Sequence, residues 1–70
     1  MAIGNAYVFG NVTYYTAVPE NDDFEIGQWC ISTERKEPIM FQVDSMSADW
    51  LFDATRRQFD PDYCEVILNK

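Results

Sequence analysis

Histidine is absent from the sequence, and basic side chains are scarce: five lysines and arginines stand against twelve aspartates and glutamates. General acid–base catalysis near neutral pH most often uses histidine, so its absence removes the commonest route to an active site. The net charge of −7 also works against contact with nucleic-acid phosphates and with anionic membrane surfaces. We therefore expect a protein that is not an enzyme and that binds neither nucleic acid nor membrane directly.

Cysteine is also rare, because Cys30 and Cys64 are the only two in the chain. Two cysteines are too few for a disulfide scaffold, and without histidine they cannot complete a four-ligand zinc site. Each lies in an apolar pattern typical of a strand, so we predict two buried free thiols.

Ligand-binding motifs are missing as well. The densest acidic run comprises Glu20, Asp22, Asp23 and Glu25. Its spacing differs from the alternating pattern of a calcium loop, and the three glycines form no phosphate-binding loop. We predict no metal and no cofactor.

Long hydrophobic runs are the last absence, since no stretch approaches the roughly 18 apolar residues of a membrane span and no secretion signal is evident. A cytoplasmic protein is the expectation. The chain is nevertheless 47% hydrophobic and 16% aromatic, which favours a folded core over disorder. Seventy residues leave room for one domain, residues 1–70.

The sequence pattern of the first half of the chain predicts β-strands. Gly10-Asn11 lies at the middle of a β-rich segment and predicts a hairpin of about 6–9 with 12–18; one continuous strand bent at Gly10 is the alternative. After a loop at 19–23, strands of about 24–33 and 39–44 should form a second antiparallel hairpin, with a bulge at Gly27.

The second half predicts one helix and a last strand. Ser45 or Ser47 can cap a helix that runs to about Phe59, with Asp53 and Arg57 able to pair on its exposed side. A final strand follows at about 63–68. The order ββ-ββ-α-β predicts a two-layer α+β sandwich, in which a four- to five-stranded, mostly antiparallel sheet carries one helix.

Surfaces then become the candidate functional sites. The predicted partner-binding residues are acidic: Glu20, Asp22, Asp23, Glu25, Asp49, Asp53, Asp60 and Asp62. Such a surface could imitate a row of phosphates and attract a basic protein that handles nucleic acid, or it could simply keep the protein in solution. One helix covers one face of a sheet, so some rings among Tyr7, Phe9 and Tyr15 should be exposed and could support a homodimer.

A resemblance sharpens this expectation. The segment 39–45, a helix ending at Phe59 and the segment 63–68 resemble in pattern the strand-helix-strand body of a small phage-encoded inhibitor of bacterial RNA polymerase. In size and acidity the whole chain is similar to phage anti-restriction and anti-CRISPR proteins. The resemblance implies a stoichiometric inhibitor that occludes a nucleic-acid site on a host or defence complex, with anti-CRISPR or anti-restriction activity first and polymerase inhibition next. A small structural module that acts by homo-oligomerisation is the alternative.

Overall fold

The computed structural model describes residues 3–20 and 24–69, and within them the chain forms seven β-strands and a turn of 3₁₀ helix, Pro61–Tyr63. The strands are β1 (Ile3–Phe9), β2 (Val12–Ala17), β3 (Trp29–Ser32), β4 (Ile39–Ser47), β5 (Trp50–Asp53), β6 (Gln58–Phe59) and β7 (Cys64–Asn69). They form one antiparallel sheet in the order β1-β2-β7-β3-β4-β5-β6. The predicted α+β sandwich is therefore wrong, and the described fold is nearly all-β.

The predicted helix is replaced by a hairpin. Strand β4 continues through Ser45 and Ser47, which are therefore not helix caps, and β5 returns beside it after the two residues 48–49. In β5, Leu51 and Asp53 are buried, whereas Trp50, the first residue of the strand, is exposed. This alternation has the period of two that is expected for a strand. Bulky aromatic and aliphatic neighbours suit this pleated surface, and cross-strand packing outweighs the local preference for helix.

The first hairpin is confirmed. Strands β1 and β2 pair antiparallel with Phe9 opposite Val12, so Gly10 and Asn11 form a two-residue turn. Gly10 has φ of +60°, which a glycine adopts without strain, and this explains why the chain turns here instead of continuing as one bent strand.

The second hairpin is confirmed in its pairing but not in its length. Strands β3 and β4 pair antiparallel, yet β3 spans only Trp29–Ser32 because Gly27 lies in a turn with φ of +91°. The Gly27 N–H donates to the Val43 carbonyl at 2.6 Å, and the Val43 N–H donates to the Gln28 carbonyl at 2.9 Å. The last predicted strand is also present as β7, which lies between β2 and β3.

The sheet is strongly curled. In a flat sheet β6 and β7 would lie four strand spacings apart, about 19 Å. Five residue steps join Phe59 to Cys64 and reach at most about 18 Å, and the 3₁₀ turn between them shortens that span. The Phe41 and Phe59 rings, from β4 and β6, stack with centroids 4.1 Å apart. The β4–β5–β6 half therefore folds back over the rest of the sheet, helped by a register shift between Val43 and Ser45.

The core fills the inside of this curl. Its buried members come from five strands and one loop: Phe24, Cys30, Phe41, Val43, Leu51, Phe59, Cys64 and Val66. Strand pairing places Tyr7, Tyr14, Ile31 and Met40 on the opposite face of the sheet. No described helix covers that face, yet Ile31 on it is fully buried while Trp29 on it is exposed, so the second side of the sheet is unevenly buried.

Candidate functional site

An acidic cleft forms where the turn between β4 and β5 approaches the 3₁₀ turn before β7. Its volume is about 520 Å³. The lining comprises Phe24, Met46, Ala48, Asp49, Trp50, Leu51, Asp60, Pro61 and Asp62. Asp49 precedes Asp60 by 11 positions and Asp62 by 13 positions in the sequence. These three acidic residues, all predicted to bind a partner, thus meet at one surface cleft.

Local structure explains the positions of these carboxylates. Asp49 is the second residue of the β4–β5 turn, where Ala48 adopts φ of +40°. Asp60 is the N-cap of the 3₁₀ helix, and its Oδ1 accepts a hydrogen bond from the Asp62 N–H at 3.0 Å. Pro61 suits the first position of that helix because proline has no N–H to leave unpaired. Two tight turns therefore present the three acidic side chains.

The cleft also has an apolar surface. Phe24 and Leu51 are buried and form its inner part, whereas Met46 and Trp50 are 51% and 43% exposed. An exposed indole beside carboxylates can contact both the aliphatic stem and the charged head of a lysine or arginine. The chemistry of the cleft therefore matches a basic side chain better than a wholly apolar or an anionic ligand.

The cleft carboxylates are not neutralised within the described part of the chain. The two ion pairs there join Arg56 to Asp44 at 3.4 Å and Arg57 to Asp53 at 3.1 Å. Neither involves a residue of the cleft. The negative charge of the cleft is therefore available to a cation from another molecule.

Asp53 does not belong to this surface, and its predicted position on an exposed helix face is wrong. It is 2% exposed, and its Oδ1 accepts hydrogen bonds from the Thr55 N–H, the Thr55 hydroxyl and the Arg57 N–H at 2.8–2.9 Å. Burial raises the pKa of Asp53, but these bonds and the Arg57 side chain outweigh it and hold the pKa below its usual value. The predicted pairing with Arg57 exists, although it closes the β5–β6 loop instead of bridging helix turns.

Glu20 and Glu25, the two described members of the acidic run after Pro19, lie at a separate surface. Glu20 and Glu25 line a second cleft of about 430 Å³ together with Pro19 and Leu68. Asp22 and Asp23, which were also predicted to bind a partner, lie outside the described residues. The acidic candidates are thus divided between two clefts and a buried loop, and the described residues form no single acidic row.

The three aromatic candidates lie on both faces of the sheet. Tyr7 and Phe9 share a face, where Phe9 makes an edge contact with Tyr14 at 6.0 Å between centroids. Tyr15 points to the other face because it neighbours Tyr14 along β2. Burial and the charge of Glu65 raise the pKa of Tyr7. A hydrogen bond with the Asn5 side chain lowers this pKa, but the first two effects are larger, so the pKa of Tyr7 is raised.

Sequence reasoning missed the exposed apolar residues of these surfaces. The predicted helix that runs to about Phe59 included Trp50, and the predicted strand of about 24–33 included Trp29, which is 49% exposed. The pair Ala48-Asp49 lacks the glycine that usually marks a two-residue hairpin turn, so the sequence carried no signal for this turn. Reading the pair as the start of a helix hid the exposure of Trp50.

The two thiols are confirmed as free and buried. Burial raises the pKa of Cys30 to about 12, and burial together with Cys30, Glu34 and Asp60 raises the pKa of Cys64 to about 12. Both thiols therefore stay protonated at neutral pH, whereas the thiolate is the nucleophile.

In the folded protein at pH 8, we expect Ellman's reagent to label Cys30 and Cys64 no faster than the domain unfolds. Both should react at once in denaturant, where the ordinary thiol pKa of about 8.5 returns. Labelling rates measured across a denaturant series test this expectation. A rapid phase of one equivalent in native buffer would contradict the buried position of a thiol.

The described part of the chain contains no helix that is long and apolar enough to cross a membrane. The chain matches no protein-family model, no curated protein and no solved structure. The functional argument therefore depends on the chemistry of the clefts and strands themselves.

Proposed function

We propose that the protein is a non-enzymatic binding domain whose acidic cleft accepts a basic segment of a protein partner. The observation that carries this proposal is the convergence of Asp49, Asp60 and Asp62 around a cleft whose wall includes the exposed Trp50. A lysine or arginine in the cleft can form charge-assisted hydrogen bonds with carboxylates while its cation lies over the indole ring.

The surrounding charge supports a basic partner over other ligands. With a net charge of −7, the domain attracts cationic surfaces at long range and repels phosphates. Extended basic surfaces are typical of proteins that bind DNA or RNA. We therefore propose a protein or complex that handles nucleic acid as the partner, with the domain occluding its nucleic-acid site in the cytoplasm.

Within this class, a phage-type inhibitor is the form that the sequence resemblance implies. Anti-CRISPR or anti-restriction activity is the first proposal and inhibition of a host RNA polymerase is the second. The polymerase comparison needed a helix before the last strand, where the chain forms the β5–β6 hairpin. The size and acidity that relate the chain to anti-CRISPR and anti-restriction proteins do not depend on that helix.

A non-enzymatic role is supported by the state of the available reactive groups. Both thiols are buried and have raised pKa values of about 12, so neither is an activated nucleophile. The buried carboxylate, Asp53, has a lowered pKa and is engaged by its own loop, whereas a general acid needs a raised pKa.

A nine-residue oligo-arginine peptide is a direct probe of the acidic cleft. In a Trp29→Phe background the fluorescence reports Trp50 alone, since the chain has two tryptophans. We expect the peptide to change this fluorescence at low salt and Asp49→Asn with Asp62→Asn to weaken its affinity about tenfold or more. Half-molar salt should remove most of the binding, because the attraction acts between exposed charges.

The matched control replaces Glu34 and Glu37 by glutamine. Both are exposed in the β3–β4 loop, neither lines the cleft, and the pair removes the same two negative charges. If both double variants bind the peptide equally well, net charge alone explains the affinity and the cleft is not the site. The same two variants then serve in a pull-down from lysate: a nucleic-acid-handling protein should be retained by the control and lost with the cleft variant.

A further inference from the structure

A carboxylate on the face of the sheet opposite the core is only half satisfied. Glu65 lies in β7 and pairs with Ile31, which places its side chain on that face. Its Oε1 accepts a hydrogen bond from the Asn5 side-chain amide at 3.2 Å, at the surface of the protein. Its Oε2 is buried and has no hydrogen-bond donor within the described part of the chain. Burial of a charged oxygen without a donor is unfavourable, so this atom works against the contact that covers it.

The cover is the N-terminal end of β1, residues 3–5, which we call the strap. A Cβ atom added to Gly4 would lie 3.7 Å from Glu65 Oε2 and 3.1 Å from Thr16 Oγ1. The backbone of the strap therefore passes close to both atoms, which is possible because Gly4 has no side chain. Thr16 is 0% exposed. The strap thus covers a hydroxyl and half of a carboxylate.

Few apolar contacts hold the strap in place. Ile3 is 49% exposed and Asn5 is exposed. The β1–β2 register shifts between Ile3 and Ala6, so regular strand pairing is interrupted there. The Asn5 N–H instead donates to the Thr16 hydroxyl at 2.8 Å, and that hydroxyl donates to the Asn5 carbonyl at 3.1 Å. Water can replace such bonds at a small net cost, so little free energy opposes local opening.

We propose that the strap opens without unfolding of the domain and that the Glu65 carboxylate beneath it promotes this opening. In the closed state the charge lacks a donor at Oε2, whereas in the open state water reaches both oxygens. The open state also uncovers Thr16 and the end of β2 that pairs with Ile3 through Ala17. The strap is therefore a conformational device that controls access to a short strand edge beside a negative charge.

The position of the charge separates this device from ordinary fraying. The end of an edge strand frays because few bonds hold it, and such fraying does not depend on a charge in another strand. Glu65 belongs to β7 and is 60 positions from Asn5 in the sequence. Glu65 also does not line the acidic cleft, so the strap and the proposed function can fail independently.

Amide hydrogen exchange of the full chain, followed by nuclear magnetic resonance, tests the opening. The Asn5 N–H reports on the strap because its acceptor is the Thr16 hydroxyl. The N–H of the buried Val43, which donates to the Gln28 carbonyl, reports on the whole domain. After correction for intrinsic rates, we expect Asn5 to exchange at least tenfold faster than Val43. Equal protection of the two amides would show that the strap opens only when the domain unfolds, which overturns the proposal.

Glu65→Gln tests the role of the charge. Glutamine keeps the shape of the side chain, and a neutral amide is less costly to bury than a carboxylate. We expect exchange of the Asn5 N–H to slow about fivefold or more. Val43 should slow by a similar factor, because the wild-type carboxylate is hydrated in the open strap and in the unfolded chain alike.

Glu34→Gln is the matched control, since it removes one negative charge from an exposed loop residue. It should leave the Asn5 exchange rate unchanged within about twofold. Circular dichroism verifies that both variants fold. Slower exchange at Val43 without slower exchange at Asn5 would mean that the strap frays without releasing Glu65. That result, or an unchanged rate at both amides in Glu65→Gln, contradicts the proposal.

Discussion

Phe59→Ala should lower the free energy of unfolding by about 3–5 kcal/mol, since it removes a buried aromatic ring and leaves a cavity. Phe59 is 5% exposed, and its ring stacks on Phe41 at an interplanar angle of 11°. Strand β6 has only two residues, so few backbone hydrogen bonds hold it in the sheet. The ring is therefore the main attachment of β6 to the core.

That loss is comparable to the whole stability of a domain this small. We expect the alanine variant to be largely unfolded at room temperature, and Phe59→Leu to remain folded with a smaller loss that can be measured in denaturant. Phe52→Ala is the control, because Phe52 lies on adjacent β5 but is only half-buried and faces away from the core cluster. Equal losses for the two alanine variants would show that the stack with Phe41 does not hold the curl.

Asp53→Ala should have the second largest effect, a loss of about 2–4 kcal/mol in the free energy of unfolding. The carboxylate accepts bonds from two backbone N–H groups and two side chains, and hydrogen bonds to a charged group contribute about 1.5–3 kcal/mol. Alanine would also leave the Thr55 and Arg57 N–H groups without their acceptor. Thermal or denaturant unfolding of the variant measures the loss, and Glu37→Ala on an exposed loop is the control.

The lowered pKa of Asp53 adds a dependence on pH. Because the folded-state pKa lies below that of the unfolded chain, this contribution to stability is fully present above the unfolded value of about 3.9. It declines as the pH falls below that value toward the folded-state pKa. The stability difference between wild type and Asp53→Asn should therefore be constant near neutral pH and shrink below about pH 4. A difference that grows on acidification would contradict the loop-closing role of the ionised carboxylate.

Short-range signals allowed part of the fold to be predicted. Gly10-Asn11 marked the first hairpin because a positive φ is needed at its turn, and alternation of apolar residues marked β4 and β7. The prediction for segment 45–59 failed because its residues form an apolar side at 100° per residue, whereas the three consecutive apolar residues Trp50, Leu51 and Phe52 show no strand alternation in the sequence. Partner strands that are distant in sequence decided between helix and strand.

The candidate site was also only partly predictable from the sequence. The acidity of Asp49, Asp60 and Asp62 was evident, but their meeting in one cleft depends on the β4–β5 turn reaching the 3₁₀ turn. Asp53 has the same side chain and ended in a buried loop, since the Arg57 backbone curls around its carboxylate. Residue type alone does not distinguish a carboxylate that faces solvent from one that closes a turn.

By itself, the sequence determined the strong negative charge, the absence of histidine chemistry, the strand-forming segments at each end and the neutral stretch before Glu20. These are properties of composition and of neighbours along the chain. Only the tertiary structure decided that 45–59 forms strands instead of a helix, that the sheet curls to stack Phe41 on Phe59, and that β1 is an edge strand of the described sheet. Strand order and curvature depend on hydrogen bonds and packing between residues far apart in sequence, and local pattern does not encode which strands become neighbours.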